Sequence, residues 1–333
     1  MIKKFLMFFI VMMFVVVSCG NSGNGKDETA DKDKENTDED SGEVNDDPED
    51  ADDLTDVPDD ETDETDETDE NDENDENDEN DENGCEATDL IDECDFSVEV
   101  TSKEDLDSIV NCRVITGDIY IEETDLEEIV LPCLEEVWSR FDIWDNPKLK
   151  KLLLPKLREA GPGFFIDMNP LLEKVDLKSL KEVTHAFSVS MNNSLKELSL
   201  PELDKMWWGD IYLMFNESLE LFDVPKLQEL DEDLFVHKNN SLKSFSLPKL
   251  EGALFLYITR NDVLETFDLS SFVDSQEIVI AYNPLLPTEL AEELVERVKE
   301  NNKYFDEEDY EVCQNKDSTV KCYEDYDWDW DDM

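Results

Sequence analysis

Residues 141–157 read FDIWDNPKLKKLLLPKL, and residues 164–180 read FFIDMNPLLEKVDLKSL. Superposed, the two share Phe first, Ile third, Asn sixth, Leu ninth and Leu again at the close. The Asn continues as a file: Asn146, Asn169, Asn192, Asn216, Asn239, Asn261 and Asn283, at steps of 23, 23, 24, 23, 22 and 22 residues. Three residues after each stands Leu, from Leu149 to Leu286. Three before stands an aliphatic (Ile143, Ile166, Val189, Leu213, Val236, Ile258, Ile280), and five before another apolar residue, from Phe141 to Ile278. A fixed period of this length marks a stacked repeat, each copy too small to bury its own apolar face.

Alternation at −5 and −3 from the Asn predicts a half-buried strand. Leu at +3 with apolar residues at +6 and +8 predicts a second short strand. The Pro that follows, at 155, 201, 225 and 248, lacks the N–H a ladder needs and ends it. The expected unit is one coil of about two strands and turns, repeated about seven times. The Asn amides are expected at buried turns, where they satisfy backbone groups and stack on one another.

The flanks differ in kind. Residues 1–19 combine Lys3 and Lys4, an apolar run from Phe5 to Val17, and Ser18-Cys19. The run is too short to span a bilayer and suits a signal segment. Its end resembles a bacterial lipobox, which implies a covalent lipid on Cys19; Gly20 after it, by the same resemblance, favours the outer membrane. Residues 20–84 hold 33 of the chain's 91 acidic residues against three lysines, in ETD and NDE triplets. Such a stretch cannot offset its ordering entropy and is expected as a disordered, extended linker. No EF-hand fits it: with Gly84 at the sixth position, the twelfth is Leu90 rather than Glu.

Residues 101–110 predict a capping helix, opening at Thr101-Ser102 with Leu106, Ile109 and Val110 on one face. NCRVITGDIYI follows from Asn111. This helix, the N-C-x-V-I-x-G motif and the L-P-x-L repeats together resemble the receptor L-domain, the leucine-rich module of insulin- and EGF-receptor ectodomains. The resemblance covers about residues 95 to 300. It implies a right-handed, mainly β solenoid with short helical caps over 85–305, and a Cys94–Cys112 disulfide. Cys313 and Cys322 flank a turn-like segment and are expected to pair locally. Cys85 and Cys133 remain, although six cysteines allow 15 connectivities. Thr288 is the expected N-cap of a closing helix, and 306–333 is an acidic tail, disordered or strapped over the cap.

A net charge of −63 excludes a nucleic-acid binder, since phosphate affinity rests on Lys and Arg. His185 and His237 lie in different repeats with no partner motif, and no nucleophile or zinc spacing occurs. The expectation is no enzyme, no metal and no cofactor beyond the Cys19 lipid. A polysaccharide-active β-helix enzyme or a structural spacer are the alternatives. If −5 and −3 point inward, −4 and −2 point outward. Those columns and the segment before the fourth strand supply Trp144, Phe165, Trp208, Tyr212, Phe235 and Tyr257, the candidate face for a protein or glycan.

Overall fold

The computed structural model describes residue 85 and residues 89–322. The signal segment with Cys19, the whole acidic linker (20–84) and residues 323–333 lie outside the described residues. What is described is mainly β, a solenoid of about eight turns with two helices. All strand pairing within it is parallel. Each coil therefore adds one strand to each face, about 4.8 Å above the last.

Each full coil has three faces. On the main face lie strands such as Phe141–Trp144, Ile211–Met214, Leu234–His237 and Phe255–Thr259. Their register follows the Asn period: Ile211 faces Leu234, and Leu234 faces Leu256. The residues at −5 and −3 are all buried, and Phe141, Phe164 and Phe187 stack inside with centroids 5.0 and 5.6 Å apart. The second face holds short strands such as Lys151–Leu153, Leu221–Asp223 and Ser244–Ser246. A third face, which the repeat pattern did not reveal, holds Cys112–Ile115, Glu136–Val137, Lys205–Trp207 and Glu229–Leu230. Two nine-residue strands, Glu159–Asp167 and Glu182–Ser190, run through from the third face to the main one. The third-face strands have only two or three residues in most coils, too few to show period-2 alternation.

Two turns close each coil. After each Asn of the file, its carbonyl accepts the N–H of the Leu three residues on, as from Leu149 to Asn146 at 3.2 Å. The L-P-x-L element is the second turn, with Leu157 N–H donating to the Leu154 carbonyl at 3.2 Å. Pro at its second position has the φ such a turn requires.

The seven Asn side chains are fully buried and hydrogen-bonded in file. Asn146 Oδ1 accepts from Thr124 N–H at 3.0 Å, and Asn169 Oδ1 from Asn146 N–H at 3.1 Å. The same bond repeats to Asn283, whose N–H donates to Asn315 Oδ1 at 3.2 Å. Each Nδ2 donates back to a carbonyl of the preceding coil, as Asn216 Nδ2 to Val189 O at 2.8 Å. The file thus has a rung beyond the sequence pattern at each end. At the start Thr124 takes the place of Asn. At the end the closing helix lengthens the step to 32 residues and hides Asn315 from a period search.

The caps follow from unsatisfied ends. Helix α1 (Lys103–Ile109) starts at Ser102, whose hydroxyl accepts Asp105 N–H at 3.3 Å, and buries Leu106 and Ile109. Disulfides join Cys94 to Cys112, Cys85 to Cys133 and Cys313 to Cys322. Gly117 of the N-C-x-V-I-x-G motif lies against the previous coil, where a Cβ would stand 2.5 Å from the Phe96 carbonyl. Helix α2 (Thr288–Asn301) buries Ala291, Leu294, Val295 and Val298. Its Arg297 donates to the carbonyls of Leu269 and Phe272 at 2.7 and 2.9 Å, satisfying groups at the solenoid's end. Two expectations are corrected. Thr288 is the first helical residue, not the cap, and its hydroxyl donates to Lys316 O at 2.6 Å. The boundary at 306 falls inside the solenoid, because Tyr310–Cys313 pairs in parallel with Glu277–Ala281.

Candidate binding groove

The residue before each ladder position leaves its strand with positive φ: Glu123, Asp145, Met168, Met191, Phe215, Lys238, Arg260, Tyr282 and Gln314, between 47 and 59°. None is glycine, so each carries a left-handed cost of about 1–2 kcal/mol. What holds them is the turn itself. Phe215 N–H donates to His237 O at 3.0 Å and Lys238 N–H to Thr259 O at 3.1 Å, while the following Asn is pinned in the ladder. The conformation turns these side chains out at one corner of the coil. There they form one wall of a groove of about 780 Å³, running along the stack from Met191 to Gln314. The other wall comes from the residues after each Asn: Asn193, Glu217, Asn240, Asp262 and Pro284.

The wall changes character along its length. Met191 and Phe215 are apolar, Lys238 and Arg260 cationic, Tyr282 aromatic. Lys238 Nζ stands 5.4 Å from the Phe215 ring centre, and the Arg260 guanidinium 4.7 Å from that of Tyr282. Cation–π contact holds each charge beside an aromatic face and leaves a surface able to take an anionic and an apolar group side by side.

The expected face of Trp144, Phe165, Trp208, Tyr212, Phe235 and Tyr257 is not one open stripe. Phe165 is buried, with the Arg140 guanidinium 4.7 Å from its ring centre. Tyr212, Phe235 and Tyr257 are half-buried and stack on one another at 5.2 and 4.7 Å. Outward rings on successive coils are one strand spacing apart, so they spend their faces on each other. Trp144 is half-buried on the main face. Trp208 is exposed but lies at a different corner, near His185 and next to exposed Trp207.

Carboxylates on this outer sheet face are strongly perturbed. Burial raises Asp142 to about 6 against the opposing pull of Arg140, whose Nε lies 2.7 Å away. Burial raises Asp167 to about 7, although Ser188 Oγ and Ser190 N–H both donate to it at 2.8 Å. Asp210 rises to about 6 by burial, and Asp233 to about 7 by burial and then by the charges of Asp210 and Glu232. Burial likewise pushes the Tyr212 phenol up. Asp210 and Asp233 invite comparison with a catalytic pair. Their bonds assign them a simpler role: Asp210 accepts Asp233 N–H at 3.1 Å and Asp233 accepts Phe255 N–H at 3.2 Å, as Asp118 accepts Arg140 N–H at 3.1 Å. Each caps the start of the next coil's strand.

His237 is buried, its Nδ1 2.7 Å from Thr259 Oγ1 and its ring edge-on to Phe215. His185 Nδ1 is buried without a hydrogen-bond partner. Among the described residues, the grouping with metal-ligand spacing is Glu311, Cys313 and Cys322, and its two sulfurs are tied in a disulfide. The sequence places the outward columns at −4 and −2, whereas the groove wall is the −1 column, Met191, Phe215, Lys238, Arg260 and Tyr282, whose residue types follow no pattern. Compared with known proteins, the chain matches no family model and no curated sequence at a significant level.

Proposed function

We propose that the chain is a lipid-anchored cell-envelope protein, held at Cys19 and carried on the acidic linker, whose solenoid binds a protein or glycan partner without catalysis. In this reading it is a bacterial relative of the receptor L-domain, sited at the outer membrane or cell surface, and it needs no metal or further cofactor. The capping helix, the Cys94–Cys112 disulfide and the Gly117 contact support the kinship. The groove carries the binding reading: a rigid wall of Met191, Phe215, Lys238, Arg260 and Tyr282, held outward by a backbone conformation that the buried Asn file enforces.

The wall offers a test that separates binding from folding. Glycine accepts positive φ without strain, so Phe215→Gly with Arg260→Gly removes the recognition groups while the relieved strain offsets part of the packing lost against His237 and Tyr282. Incubated with isolated cell envelopes, this variant is expected to bind at least tenfold more weakly than wild type while still unfolding in one cooperative transition with the wild-type slope. Equal binding would refute the groove. A comparable loss from Tyr212→Ala alone would move the site to the sheet face.

A further inference from the structure

We propose that the corner carrying Trp138, Trp207 and Trp208 is a second binding surface, which takes an extended basic segment of a partner protein with Lys or Arg at positions i and i+4. It lies at the edge of the third face, away from the groove, and does not depend on the groove being a site.

Three observations carry it. The first is exposure. Of the four tryptophans among the described residues, three are at this corner, 54%, 43% and 64% exposed in chain order. Tyr212, Phe235 and Tyr257 cover one another from coil to coil, but Trp138 and Trp207 have no ring on the coils between them. Gly161 follows Trp138 in the stack, where a Cβ would stand 2.6 Å from the Trp138 carbonyl, and Thr184 precedes Trp207 in register. The floor between the two indoles is therefore bare.

The second is spacing. From Trp138 through Gly161 and Thr184 to Trp207 is three coil steps, about 14 Å at strand spacing. Alternate residues of an extended chain share one side, and four residues span about 13 Å. A strand laid along the stack thus brings residues i and i+4 to the two indoles, with i+2 over the floor.

The third is charge. Beside the tryptophan column stand Glu136, Glu159 and Glu182, in register on three successive coils. Like charges directly opposite on neighbouring strands repel. The second face avoids this, pairing Lys150 with Glu127 and Lys151 with Glu128 across one coil at 2.7 and 2.6 Å. Here Arg158 takes Glu136 at 3.1 Å, while Glu159 and Glu182 form no ion pair among the described residues, although Lys205 comes next in the column. Each end of the corner also joins an indole residue to a carboxylate: Trp138 Nε1 donates to Glu136 at 2.9 Å, and Trp208 N–H to Asp231 at 2.9 Å. A ring face beside a carboxylate suits an ammonium or guanidinium group. An uncharged glycan would leave the glutamates facing one another, whereas a basic segment neutralises them.

Two blocked peptides test this, Thr-Lys-Thr-Val-Thr-Lys-Thr and Thr-Lys-Thr-Val-Lys-Thr-Thr, both N-acetylated and C-amidated. They have one composition and one charge, but only the first, when extended, sets both lysines on the same side. Each is incubated with the full chain and a zero-length carbodiimide, which joins amines to carboxylates in direct contact, and the coupled positions are located by mass spectrometry. The acidic linker meets both peptides alike and serves as the internal control. The first peptide is expected to couple to Glu159 or Glu182 at least fivefold more than the second. Trp138→Ala and Trp207→Ala, both at exposed rings, are each expected to lower that yield at least fivefold with linker coupling and far-UV circular dichroism unchanged. Phe215→Gly with Arg260→Gly is expected to leave it as in wild type. Equal coupling of the two peptides at Glu159 and Glu182, or a yield indifferent to both tryptophan changes, would overturn the proposal. So would protection of Trp138 and Trp207 from oxidation by chitohexaose and not by the first peptide, which would make the corner a glycan platform.

Discussion

Replacing Asn216 by Ala removes one rung from the middle of the buried file. Asn216 Oδ1 accepts Asn192 N–H at 3.0 Å, and its Nδ2 donates to Val189 O at 2.8 Å and Asn239 Oδ1 at 3.1 Å. Asn239 Oδ1 keeps a donor, because Asn216 N–H also reaches it, at 3.2 Å. Asn192 N–H and Val189 O lose these partners at a site with no exposed surface. Each buried group so deprived costs about 1–3 kcal/mol, so the substitution is expected to cost about 2–6 kcal/mol before any loss from the cavity. Urea titration followed by far-UV circular dichroism measures it as a lower midpoint at constant slope. Asn216→Asp should be worse at pH 8: it loses both donations and sets a charge in the file. A loss below about 0.5 kcal/mol for Asn216→Ala would show that the file is a consequence of the coil rather than one of its supports.

Acidification should stabilise the solenoid over a defined window. Asp142 and Asp210 titrate at about 6 and Asp167 and Asp233 at about 7, above the ordinary carboxylate value near 3.9 in the unfolded chain. Between about pH 4 and 7 the folded state holds protons that the unfolded state has released, so stability falls as pH rises through that range. The urea midpoint is expected to drop from pH 5 to pH 8. Over that range Asp167→Asn should flatten the dependence by up to about 3 kcal/mol, from the roughly two pKa units between pH 5 and 7 at about 1.4 kcal/mol each; a midpoint that rises with pH would contradict the burial of these groups. At the other end of the chain, Cys19→Ala is expected to move the protein from the membrane to the soluble fraction on cell fractionation, and continued membrane association would remove the lipid anchor from the proposal.

Much of the coil was legible because its constraints recur. Positions −5, −3 and +3 must be apolar in every copy, since every copy contributes them to one core, and the Asn must be Asn because a short amide both donates and accepts at a buried turn. What was illegible recurs weakly or once. The third-face strands are too short for a pattern. Asn315 was hidden by the inserted helix, and Thr124 by a change of residue type. Trp144, Phe165, Tyr212, Phe235 and Tyr257 were correctly placed outside the core columns, but side-chain alternation says nothing about a neighbour one coil away. Arg140 lies against Phe165, and Tyr212, Phe235 and Tyr257 stack together, so outward did not mean open. The −1 column was illegible for the opposite reason. Its residue types vary because they face solvent, and only its backbone angle is constant.

The repeat as a physical unit is tested most directly by deletion. Removing residues 193–216 excises one period and joins Asn192 to Glu217, so every remaining column stays in register. That protein should fold cooperatively, with an unchanged circular dichroism spectrum per residue and a stability reduced by one coil's share. Removing only residues 193–204 puts apolar columns against polar ones and should leave no cooperative transition. If the two deletions unfolded alike, or the half-period deletion proved the more stable, the Asn file would not mark successive coils of one stack.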